Sequence, residues 1–152
     1  MNVSLWQSHA PRAEIRPDFA ADPEGGRDGA GTLFITMDHR PGLLGCWERT
    51  FPVPGGQWIR FAAFRRTSGV RNPRRSCLVE IFWEDDTGQP VPQDQPIVER
   101  YLCNWTNPRA ESEHPRDGET DAEGWTEVSG TYRVPPAATQ ARYSAMVRSV
   151  AG

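Results

Sequence analysis

The side chains able to do chemistry are few and scattered. Histidines stand at His9, His39 and His114, and cysteines at Cys46, Cys77 and Cys103. A zinc site needs such ligands grouped a few residues apart, and no pair here has that spacing. His39 lies beside Asp38, the setting of a loop ion pair. A Cys46–His39 pair would have to be assembled by the fold, and nothing local marks it. No nucleophile elbow, phosphate loop or dinucleotide fingerprint is present. All 17 basic residues are arginine. Mechanisms that need a lysine base, a Schiff base or a phosphate-gripping lysine are therefore excluded. The expectation is a chain with no catalytic residue, no metal ligand and no cofactor.

Charged clusters admit a blander account than catalysis. Glu84, Asp85 and Asp86 follow one another at a strand end. Carboxylates there could hold a hard cation. A glycosidase pair, however, must flank a substrate cleft, which neighbours on one turn rarely do. A solvated strand-to-turn junction is expected instead. Arg60, Arg65, Arg66, Arg71, Arg74 and Arg75 form a basic stretch. Alone it would suit phosphate contacts, but Glu80 and Glu84 lie nearby in sequence, and cross-strand ion pairs are expected. The net charge of −3, from 20 acids and 17 bases, argues against non-specific affinity for nucleic acid or membrane.

One constellation follows from strand parity. If Ile59, Phe61 and Ala63 face the core with Val79, Ile81 and Trp83, the other face carries Trp58, Arg60, Phe64, Glu80, Phe82 and Glu84, joined by Glu99 and Tyr101. Aromatic rings interleaved with charged groups suit sugars, whose C–H faces pack on rings and whose hydroxyls need polar partners. The same rings could instead lie under a loop or the N-terminal segment. Trp105, in a long polar loop, is either a recognition anchor or a pin that holds the loop down. Trp125 is expected to be structural.

The elements that must position these groups are short extended runs between turn signals. Residues 14–19 form a weak first strand interrupted by Pro17, and 21–30 a Gly/Asp-rich connection. Alternation predicts strands over 31–38, 46–53, 57–66 and 76–85. Pro54-Gly55-Gly56 is a turn, and 67–74 reads as a hairpin loop. Further strands are expected at 97–103, 125–134 and 139–150, with a long polar loop over 104–123. Gly130 inside its strand reads as a bulge. About eight strands with no amphipathic helix between them favour a sandwich or barrel.

Composition agrees. Pro and Gly number 14 each, and six Trp, six Phe and three Tyr supply large core residues. A chain of 152 residues suits one domain and can bury roughly 70% of its unfolded surface without a disulfide or metal. Three widely spaced cysteines are not a disulfide framework, and buried free thiols are expected. The first ten residues have no basic start followed by an apolar run, so no signal peptide is expected. With Met1 as the native start the chain would be cytoplasmic; otherwise the compartment is open. No apolar stretch approaches the roughly 20 residues of a membrane span.

Three stretches carry a family resemblance. GCWERTFPVPGGQWIRFAAFRR, CLVEIFWEDDTG and GWTEVSGTYRVPPAATQARYSAMV resemble successive strands of the galactose-binding-like jelly roll found in many carbohydrate-binding modules. The resemblance spans roughly residues 31–150, and its motifs are structural, so they bear on fold more than ligand. PRAEIRPDF before this sandwich is also similar to the N-terminal accessory domain of some bacterial carbon–nitrogen hydrolases. That enzyme class uses Glu, Lys and Cys in a separate domain; this chain has no Lys, and the activity does not carry over. The jelly-roll family usually adds a closing strand with an acidic residue that helps hold structural calcium. Here the sequence stops at Ala151-Gly152, so a missing final strand stays open and calcium has no support.

The expectation is thus an all-β jelly-roll sandwich of about eight antiparallel strands in one domain over 1–152. Its role would be non-catalytic, binding carbohydrate or serving a hydrolase domain in the same or a neighbouring chain. The alternative is an interaction domain that docks a catalytic domain or self-associates.

Overall fold

Alternating apolar residues become the inner faces of packed antiparallel sheets. The computed structural model describes residues 1–38, 40–92 and 109–149. Among these lie nine strands: β1 (Gln7–His9), β2 (Asp18–Asp22), β3 (Thr32–Thr36), β4 (Leu44–Pro52), β5 (Trp58–Arg65), β6 (Cys77–Glu84), β7 (Arg116–Thr120), β8 (Thr126–Arg133) and β9 (Gln140–Arg148). A four-stranded sheet has the order β1-β4-β9-β6, a three-stranded sheet the order β5-β8-β7, and β2-β3 is a separate hairpin. Every strand pair is antiparallel. The chain is an all-β sandwich.

The core sits between the two larger sheets. Ile81, Trp83 and Ala141 from the four-stranded sheet pack with Val91, Val134 and Ala138 from connections, and Ile59, Phe61 and Tyr132 close against them from the three-stranded sheet. Tyr143 joins the halves: its ring lies 5.1 Å from Phe61 and 4.8 Å from Phe51, centroid to centroid. A fully buried aliphatic side chain such as Ile81 or Val134 contributes roughly 1.5–3 kcal/mol. The period of two along β5, β6 and β9 places every second residue in this layer.

The hairpin β2-β3 covers the rest of the inner face of β4. Phe19 meets the Trp47 ring edge-on at 5.4 Å, and the Trp47 indole donates to the Phe34 carbonyl at 3.0 Å. Gly45 permits this approach: a Cβ there would come within 2.8 Å of Phe19 and Pro17.

Several expectations need correction. Residues 67–74 are not a hairpin loop. They lead through a helical turn, Pro73–Ser76, from the three-stranded sheet to the four-stranded one, so β5 and β6 never pair. Gly130 is not a bulge; it sits in regular register opposite Phe61. Its missing side chain leaves room for the Tyr132 ring, two residues on along the same face, which a Cβ at Gly130 would overlap. The irregularity lies instead between β7 and β8, near Asp117 and Thr120. The polar stretch after residue 104 contains β7, and the first strand lies at Gln7–His9; both are short and polar, so neither shows an apolar period. The strand expected over 97–103 lies outside the described residues.

Among the described residues no helix is long and apolar enough to cross a membrane.

Candidate functional site

Strand register assembles a mainly apolar depression, edged by charged side chains, on the outer face of the four-stranded sheet. Phe82 stands opposite Arg142, and Glu80 opposite Ser144. On its other side Ser144 faces Glu48, and Met146 faces Cys46; His9 on β1 extends that row. Ser144 is small and fully buried, while its neighbours are long, so the surface dips there. The hollow holds about 130 Å³ between His9, Leu44, Glu48, Phe82, Arg142 and Met146, with Ser144 and Cys46 at its base. This is below the roughly 300–1,000 Å³ of sites that engulf a small molecule.

Arg142 organises the walls. Its guanidinium donates to Glu84 at 2.8 Å and to Glu48 at 2.8 Å, and lies 4.3 Å over the Phe82 ring. Burial works against its charge, but the two carboxylates outweigh that and raise its pKa above the ordinary value. The Glu84 side chain is only 8% exposed, so it depends on this cation and on Gln140 at 3.5 Å. At the base, burial pushes the Cys46 thiol up; a hydrogen bond with Ser144 opposes the rise, and Glu48 adds to it. Cys46 is therefore a neutral thiol and a weak nucleophile at neutral pH.

The six described residues among those singled out from the sequence do not form one platform. The odd positions of β5 and β6 do face the core, as parity predicts. The two strands belong to opposing sheets, however, so their even positions point away from each other. Phe82 and Glu84 reach the depression and its wall. Glu80 lies on the same sheet face, where its Oε1 pairs with His114 Nε2 at 3.0 Å. Trp58, Arg60 and Phe64 occupy the outer face of the three-stranded sheet.

There Trp58 is 68% exposed. Arg60 pairs with Glu127 at 3.0 Å, and Arg65 with Asp117 at 2.7 Å. The ion pairs expected with Glu80 and Glu84 are thus replaced by pairs within the three-stranded sheet. Phe64 lies under the Arg27 guanidinium at 4.2 Å, and Arg27 is held by Asp121 at 3.1 Å. Tyr101, Trp105, Glu99, Cys103 and His39 lie outside the described residues.

The Glu84-Asp85-Asp86 run divides by role. Glu84 is buried rather than solvated, contrary to expectation. Asp85 closes the turn by accepting from the Thr87 hydroxyl and from the backbone N–H groups of Thr87 and Gln89. These bonds, the Thr87 hydroxyl first, lower its pKa. Among the described residues no group of three or more His, Cys, Asp and Glu side chains is placed to hold a metal ion.

Sequence reasoning missed Glu48, Cys46, His9, Arg142 and Ser144 as neighbours of Phe82. Parity along 139–150 does put Arg142, Ser144 and Met146 on one face. Nothing in the sequence states that this strand lies between β4 and β6.

No protein-family model matches this chain, and no curated protein matches it. Solved structures do. The chain is similar to the enzymatically active domain of tailspike protein 4 of bacteriophage CBA120, with a TM-score of 0.63 and 15% identity over 99% of this chain and 18% of that one. It is also similar to the CBM22-1–GH10 modules of the Clostridium thermocellum N-terminal endo-1,4-beta-D-xylanase 10B, a structure complexed with xylohexaose. There the TM-score is 0.56 and the identity 14%, over 97% of this chain and 24% of that one. At such identity the likeness speaks for the fold, a β-sandwich. The chain spans less than a quarter of the length of either protein.

Proposed function

We propose that this chain is a non-catalytic carbohydrate-binding module, a jelly-roll sandwich of the galactose-binding-like kind, which holds part of a polysaccharide at the depression beside Phe82. The observation that carries this reading is the Phe82–Arg142–Glu48–Glu84 assembly on the outer face of the four-stranded sheet. A ring offers packing for sugar C–H groups. Carboxylates and a guanidinium already locked by mutual hydrogen bonds offer acceptors and donors to hydroxyls without further ordering. The likeness to modules that include a carbohydrate-binding domain supports the same reading. A hydrolase domain in the same or a neighbouring chain is the natural partner.

Calorimetric titration with soluble oligosaccharides, xylohexaose and galactose- and glucose-based chains among them, tests the proposal. Binding to the wild type that weakens at least tenfold in Phe82→Ala and Glu48→Gln is the expected result. No binding across the panel, or binding unchanged in both variants, overturns it.

A second reading rests on Trp58. A tryptophan 68% exposed on the flat outer face of the three-stranded sheet, beside Arg60, is the kind of anchor that interfaces use. In that reading the face docks a catalytic domain. Trp58→Ala would abolish the docking and leave sugar binding unchanged.

A further inference from the structure

A second cleft opens where the edges of the two sheets meet. It holds about 260 Å³ between the end of β5, the Pro73–Ser76 turn, the start of β6 and the start of β7, and Arg65, Arg74, His114, Arg116 and Asp117 line it. Arg65 spans the gap. One terminal nitrogen donates to the Cys77 carbonyl at 2.8 Å, the other to Asp117 at 2.7 Å. A guanidinium has five N–H donors, so three of them have no acceptor in these two bonds, although the side chain is only 16% exposed.

Arg74 and Arg116 also line the cleft, and neither side chain makes a hydrogen bond or ion pair with another described residue. Three guanidiniums thus line the cleft with one carboxylate, and that one is held by Arg65. His114 also lines the cleft, with its Nε2 engaged by Glu80. Such a site attracts an oxyanion, and guanidinium forks match the planar geometry of a carboxylate and the oxygens of a sulfate.

We infer that this cleft binds the carboxylate or sulfate group of an acidic saccharide, as a subsite distinct from the depression beside Phe82. The oxyanion part of the inference stands on the cleft alone; the saccharide part rests on the function proposed above. The three guanidiniums lie around one cleft, and the chain as a whole carries a net charge of −3. That suits a short acidic saccharide better than a long polyanion wrapped along the surface.

Titration of the full chain with tri-galacturonate, a sulfated galactose trisaccharide, inorganic sulfate and neutral xylohexaose is the test. The variants are Arg74→Gln/Arg116→Gln, both exposed positions that leave Arg65 and its partners in place, and Phe82→Ala. The expected result is binding of at least one acidic trisaccharide that weakens as salt rises. That binding falls at least tenfold in the double arginine variant, and inorganic sulfate competes with it. Xylohexaose binding stays unchanged in that variant. The carboxylate and sulfate sources are told apart by which trisaccharide binds tighter. Acidic trisaccharides that fail to bind the wild type, that bind the double variant as well, or that lose binding only in Phe82→Ala overturn the inference. Loss of xylohexaose binding everywhere, with the acidic arm intact, defeats the depression as a neutral-sugar site and leaves the cleft standing.

Discussion

The Arg142 guanidinium carbon lies 4.3 Å over the Phe82 ring centroid, a contact set by the register that places the two residues opposite each other on β9 and β6. The same guanidinium reaches Glu84 on one side and Glu48 on the other. One cation on β9 therefore holds a ring and a carboxylate from β6 and a second carboxylate from β4. Rigidity of this kind is what a recognition surface on a sheet requires.

Arg142→Leu strands the Glu84 carboxylate, 8% exposed, without its cation. Removing one partner of a buried pair costs more than removing both. The single variant is expected to lose about 3 kcal/mol in urea unfolding, and Glu84→Leu/Arg142→Leu to recover much of that loss. Equal stability of the single and double variants would contradict the pairing.

Trp58 and Ile81 sit at opposite extremes of exposure, 68% and 0%. Trp58→Ala is expected to change stability by no more than about 0.5 kcal/mol, and Ile81→Ala to cost about 2–5 kcal/mol through the cavity it leaves. Thermal unfolding of both variants checks this. A large loss at Trp58 would mean that its ring is covered.

Gly130→Ala forces the Tyr132 ring out of its place, because the added Cβ would overlap it. A cost of about 1–3 kcal/mol is expected for such overpacking. Gly130→Ala/Tyr132→Ala, read by the same unfolding experiment, should show a smaller penalty for the alanine at position 130 than the wild-type background does. An equal penalty would place the strain in the backbone instead.

Glu113 is bonded through its backbone to Ile81 in both directions, at 3.0 and 2.9 Å. Burial raises its carboxyl pKa above the ordinary 4.5, although a hydrogen bond with Trp83 and the charge of His114 pull it down. The folded state therefore holds this proton more tightly than the unfolded chain does. The contribution of Glu113 to stability falls as pH rises from the unfolded value through the higher folded one. Glu113→Gln should remove that fall. Unfolding free energies measured from below pH 4.5 to neutrality are expected to show the variant gaining on the wild type as pH rises. A constant difference between the two curves would refute the assignment.

The inward set of β5, β6 and β9 was legible without coordinates. Ile59 and Phe61, Ile81 and Trp83, and Ala141 and Tyr143 all stand at alternating apolar positions and all reach the core. Turns at Pro54-Gly55-Gly56 and Asp86-Thr87-Gly88 were legible for the same local reason: Gly56 and Gly88 adopt φ of +77° and +79°, which favours glycine. The candidate site was legible only in part. Phe82 and Glu84 were named, but they were joined to Trp58, Arg60 and Phe64, which lie on the far side of the molecule.

The division has a physical cause. Alternation along a strand is a local property, since side chains project to opposite faces at every step, and apolar patterning alone decides which face turns inward. Backbone hydrogen bonds between strands are the same for any sequence, so they carry no record of which strands pair. That choice comes from packing between residues far apart in the chain. Here β5 pairs with β8 and β6 with β9, which separates Phe82 from Trp58 and brings it to Arg142, 60 positions away in the chain.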